Sequence, residues 1–118
     1  MKEFLKDGRE IEYDFYGFEN AQAAEQMKQG KIGKLIGIGN SMTPILKSKQ
    51  PVIVLPLTEE MLLEKGNIVF CKVNGHHYLH KIHAIKGNNK QFLIGNNHGH
   101  MNGWISRKGI FGKVTQII

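Results

Sequence analysis

Residues 68–94 read IVFCKVNGHHYLHKIHAIKGNNKQFLI, and the reading of this stretch decides the fold. Residues 68–73 are β-branched and aromatic in character and run into Asn74-Gly75, the pair best suited to a two-residue hairpin turn. A return strand follows over 76–85, a second turn falls at Gly87-Asn88-Asn89, and a further strand covers 91–94. Downstream, residues 95–103 (GNNHGHMNG) read as a loop, Trp104-Ile105-Ser106 follows, and a last strand spans 110–118. Upstream, residues 51–56 (PVIVLP) form a strand bracketed by prolines, and 58–65 (TEEMLLEK) predict one or two helical turns closed by Gly66. Residues 18–29 (FENAQAAEQMKQ) lack β-branched side chains and predict a short helix, with Asn20 as N-cap and Gly30 as its stop. Asp7-Gly8 splits residues 2–16 into a short hairpin. The expectation is a mainly β fold: a coiled antiparallel β-sheet domain over 31–118, with a hairpin and one short helix over 1–30 packed on it as a single unit.

At 118 residues the chain has the length of one domain, and 41% hydrophobic against 22% charged residues excludes wholesale disorder. The lone cysteine, Cys71, rules out a disulfide framework or a thiolate metal knuckle and reads as a small buried hydrophobe. The first residues lack an apolar stretch of secretory length, and no segment approaches the roughly 20 apolar residues of a membrane span. The expected setting is soluble and cytoplasmic. Charge is divided unevenly. All ten acidic residues lie at or before Glu64, so residues 1–64 carry −2 and residues 65–118 carry +8. The second half also holds all six histidines, none of which has a carboxylate within its own half.

Two features suggest chemistry. In Gly39-Asn40-Ser41-Met42-Thr43-Pro44, small residues let the backbone turn sharply and present a hydroxyl with neighbouring N–H groups. Taken alone, the same residues also make an ordinary loop. On the strand over 76–85, alternation puts His76, Tyr78, His80 and Ile82 on one face and His77, Leu79, Lys81 and His83 on the other. Any of these imidazoles is a candidate general base, with His77 and His83 reading as solvated strand residues. A zinc site built from His76 and His80 with His98 and His100 is a weaker alternative, because thiolates and local acids are missing. Lys81, Lys86, Lys90, Arg107, Lys108 and Lys113 offer a basic face to an acidic protein or a nucleic acid, without a repeating aromatic recognition pattern.

The order of these motifs resembles the clan of serine peptidases that contains signal peptidases and self-cleaving SOS repressors. Gly39-Asn40-Ser41-Met42-Thr43-Pro44-Ile45-Leu46 is similar to its Gly-x-Ser-Met-x-Pro-x-Leu nucleophile box, and Gly66-Asn67-Ile68-Val69 to its Gly-Asp-Ile-Val box. His80-Lys81-Ile82 resembles the His-Arg-Val/Ile base segment, Gly95-Asn96-Asn97 the Gly-Asp-Asn box, and Ile110-Phe111-Gly112-Lys113-Val114 the closing Ile-x-Gly-Lys-Val strand. The resemblance covers about 80 residues. It implies a peptidase in which Ser41 is the nucleophile, His80 the general base, and the backbone N–H groups of Ser41 and Met42 the oxyanion hole, with no cofactor. Lys81, on the opposite face from His80, is then structural or surface. Three acidic positions of the pattern are neutral here, around Gln50, at Asn67 and at Asn96. Since the last normally orients the imidazole, Asn96 is the candidate orienting residue. No Ala-Gly or Cys-Gly dipeptide is present for repressor-style self-cleavage. The substrate implied is a peptide or protein. The alternative is an inactive member of the clan that binds protein or nucleic acid through its basic half.

Overall fold

The computed structural model describes residues 1–118. Ten strands and one helix follow in the order β1 (Lys2–Phe4), β2 (Glu10–Glu12), β3 (Phe15–Phe18), α1 (Ala21–Lys28), β4 (Gly33–Ile36), β5 (Val52–Pro56), β6 (Ile68–Val73), β7 (His76–Lys86), β8 (Gln91–Gly95), β9 (Met101–Ser106) and β10 (Ile110–Ile117). β1 and β2 form a separate hairpin around Asp7-Gly8, and the other eight strands make one sheet ordered β3-β4-β5-β10-β6-β7-β8-β9. The protein is therefore mainly β with a single α-helix.

The sheet is mixed rather than wholly antiparallel. β3 runs parallel to β4, with Phe15 opposite Gly33 and Phe18 opposite Ile36. Parallel neighbours need a crossover, and α1 supplies it. Residues 15–30 thus complete one edge of the sheet, and a boundary at residue 30 cuts through this crossover. Asn20 caps α1 by accepting from the Ala23 N–H at 3.1 Å, and Gly30 follows the helix with φ +83°. The hairpin is tied to β4 by Lys34, whose ammonium lies 2.7 Å from Glu3 Oε2 and faces the rings of Tyr13 and Tyr16.

Alternation along β6 divides the core between the two faces of the sheet. Ile68 and Phe70 join a cluster with Leu35, Val52, Val54 and Leu79, covered by Ala23, Ala24 and Met27 of α1 and by Met42 and Leu46. Val69, Cys71 and Val73 face the other way, towards Leu63, Ile82, Phe92, Ile94 and Ile110. The β6–β7 hairpin closes at Asn74-Gly75 with φ of 49° and 84°, the positive values its turn requires. Gly112 is obligatory for packing: a Cβ there would meet Leu55 O and lie 2.6 Å from Met27 Cε.

Two further expectations change. Residues 58–65 form turns and no helix. Their main-chain groups bond to side chains instead: the Arg107 guanidinium donates to Thr58 O and Met61 O, and the Asn89 amide bridges Leu63 N and O. The loop expected over 95–103 shrinks to 96–100, because β9 begins at Met101. No helix is long and apolar enough to cross a membrane.

Candidate active site

The chain leaves β4 through Gly37 and turns at Gly39, whose φ of +108° favours glycine. Ser48 Oγ accepts from Gly39 N at 2.9 Å, and Lys49 N donates to Gly37 O at 2.8 Å, so the segment is fixed before the serine is reached. Beyond it, Thr43 N and Thr43 Oγ1 both donate to Asn40 O, while Met42 and Leu46 anchor the loop in the core. The N–H groups of Ser41 and Met42 are spent on no acceptor within the protein.

Ser41 Oγ lies 3.1 Å from His80 Nε2, across 39 positions of sequence. His80 stands on β7 opposite Val69, is 6% exposed, and stacks on the Tyr78 ring at 4.5 Å between centroids. Its other nitrogen, Nδ1, lies 2.7 Å from Asn102 Oδ1. An amide oxygen accepts only, so Nδ1 carries the proton and the Nε2 lone pair faces the serine. Burial is the main influence on this imidazole and lowers its pKa below 6.5; the Asn102 bond pulls the other way, and His100 and His83 add to the lowering. The neutral ring is therefore the major form at pH 7.

Asn96, expected beside His80, is engaged elsewhere. Its Oδ1 accepts from His98 N at 2.8 Å and from His100 N at 2.9 Å, closing the 96–100 turn. Asn102 holds the orienting position instead. No local pattern marks Asn102: residues 95–103 read as a loop, whereas β9 begins at Met101 and sets Asn102 against His80 of β7. Asn97 braces the Ser41 turn: its N–H donates to Ser41 O, its Nδ2 to Thr43 O, and its Oδ1 accepts from Lys81 Nζ at 2.9 Å. Lys81 is thus a strut. His98 Nε2 lies 3.1 Å from both Thr43 Oγ1 and Asn40 O.

The remaining histidines separate. His83 and His77 are half-buried rather than solvated: the first bonds Asn96 O at 2.8 Å, and the second packs against Phe111 with its pKa lowered, chiefly by burial. No three His, Cys, Asp or Glu side chains gather with metal-ligand geometry, so the four-histidine zinc arrangement is not assembled. Cys71 is buried, and burial, with a smaller push from the Glu19 charge, raises its thiol pKa to about 12.

Ser41 and His80 open into a groove of about 390 Å³ whose walls include residues 37–39 on one side and 77–79 on the other. Glu19, which nothing in its sequence context singled out, reaches into the groove: Oε1 accepts from Ile38 N at 3.3 Å and Oε2 from Leu79 N at 3.1 Å. Burial raises its pKa above the usual carboxylate value despite these two bonds.

These features define a mainly β protein that presents a serine–histidine pair, an accepting amide and unspent backbone donors in one groove. No family model matches the chain, and no curated protein is significantly similar to it.

Proposed function

We propose that the protein is a small serine peptidase of the signal-peptidase-like type, working through a Ser41–His80 dyad. The observation that carries this reading is the 3.1 Å approach of Ser41 Oγ to a neutral, oriented imidazole. Groups at this separation are within proton-transfer reach. Ser41 Oγ attacks a peptide carbonyl as its proton passes to His80 Nε2. The tetrahedral oxyanion takes hydrogen bonds from Ser41 N–H and Met42 N–H, worth about 3 kcal/mol per donor. The imidazolium returns its proton to the leaving amine, and a water activated by the same nitrogen hydrolyses the acyl-enzyme. Asn102 holds the ring in the productive tautomer and lends no charge to the imidazolium.

The test is mass-spectrometric mapping of a serine-directed fluorophosphonate, together with cleavage of unfolded proteins. An adduct on Ser41, and loss of both labelling and cleavage in Ser41→Ala, are the expected results; equal cleavage by the variant and wild type refutes the reading. The neutral partner of His80 favours a second reading, an inactive scaffold that binds an acidic protein or nucleic acid through its basic half. Failure to form an adduct while binding such a partner would establish it.

A further inference from the structure

The walls of the groove are open backbone edges. On β7, Ile82 exchanges its main-chain bonds with Asn67 and Gly66, on the β6 side. Alternation then turns the main-chain groups of His77, Leu79 and Lys81 to the opposite edge. At Lys81 that edge pairs with Gly95 of β8, but β8 ends there, so no strand covers residues 77–79. The Leu79 N–H on this edge and the Ile38 N–H on the facing wall point at the same place, and one carboxylate fills it with both oxygens. Gly37 makes room: a Cβ there would lie 3.0 Å from Glu19 Oε2. Glu19 forms no ion pair, so nothing cationic holds it in the slot. It lies between β3 and α1, and the helix is capped independently by Asn20, so the side chain leaves by rotation without unfolding either element.

Resting on the peptidase reading, we propose that Glu19 is an internal occupant of the peptide groove, an acidic latch that an extended substrate must displace. Its carboxylate stands in for the main-chain carbonyls of a peptide added along the open edge of β7. A substrate that supplies carbonyl oxygens to Ile38 N–H and Leu79 N–H replaces those bonds and returns the carboxylate to water. The latch therefore acts against extended peptides and leaves Ser41 accessible to small reagents.

Two serine-directed reagents test this on wild type, Glu19→Ala and Glu19→Gln: an alkyl fluorophosphonate too short to reach the slot, and an acetyl-trialanyl diphenyl phosphonate. The small reagent should label Ser41 at the same rate in all three proteins. The peptidyl reagent should label Glu19→Ala about tenfold faster than wild type, the scale of one charge-assisted hydrogen bond lost by a competitor. Glu19→Gln, which keeps the shape and one acceptor oxygen, should fall between them and serves alone if the alanine variant does not fold. Unchanged peptidyl labelling with normal small-reagent labelling overturns the latch and leaves the peptidase reading intact. A fall in both rates makes Glu19 a strut between the walls, which also overturns it. No adduct at Ser41 in any of the three proteins removes the peptidase reading, and the latch with it.

Discussion

His80 has two nitrogens with opposite duties, and each was legible to a different degree. The Nε2 contact joins two motifs that the sequence displays, a glycine-led serine turn and a strand bearing several histidines, but the choice of His80 among them rests on the family resemblance rather than on the motifs alone. The Nδ1 contact with Asn102 depends on where β9 begins and on the pairing of β8 with β9, a tertiary matter that no local pattern encodes. Glu19 was hidden for the same reason, since its partners lie 19 and 60 positions away. Two predictions belong at this scale. On the peptidase reading the neutral ring is the active form, and since burial lowers its pKa, kcat/KM should rise with pH along an acid limb whose midpoint lies below 6.5. A midpoint above 6.5 would contradict the burial of the base. Asn102→Asp places a charge beside Nδ1, so it should move that limb upward and raise kcat by about tenfold or more. Equal or lower kcat with an unmoved limb would remove Asn102 from the orienting role.

At the scale of elements, the turn that carries Ser41 belongs to no regular structure and is held from three sides. Met42 and Leu46 fix it to the core, Ser48 fixes its entrance, and the 96–100 turn reaches across through Asn97 and His98. Hairpin turns such as Asn74-Gly75 were readable because positive φ restricts which residues fit. The β3–α1–β4 crossover was not, because a parallel neighbour is chosen by packing on the sheet rather than by composition. Asn97→Ala removes the side-chain links to Thr43 O and Lys81 Nζ while keeping the backbone bond to Ser41 O. The expected result is a loss of about 1–3 kcal/mol in urea unfolding and a lower kcat, with the acid limb of the pH profile unmoved. A shifted limb would mean that the turn acts through the base rather than through the nucleophile.

Across the whole molecule, one sheet separates two buried clusters, and the imidazoles of His80 and His77 are partly enclosed with it. Both pKa values are lowered, chiefly by burial, so below pH 6.5 the unfolded chain takes up protons that the folded chain refuses. Stability should therefore be fully present above pH 6.5 and decline as the pH falls from there towards the lowered folded values. Glu19 has the opposite sign: with its folded pKa raised, the native state binds its proton first, and stability is regained as the pH falls through that value towards 4.5. Glu3 and Asp7, held low chiefly by hydrogen bonds from Lys34 and from Arg9, act only deeper in the carboxylate range. Urea midpoints measured at pH 7.5 and 5.5 should thus differ, the acid value being lower. His80→Gln should narrow the gap, and adding His77→Gln should narrow it further, since neither amide can take up a proton in the unfolded chain. Glu19→Gln should leave that gap unchanged if Glu19 titrates below pH 5.5, and should widen it if burial carries its pKa higher. A gap unaltered by the two histidine substitutions would mean that the acid sensitivity of the fold arises outside the groove.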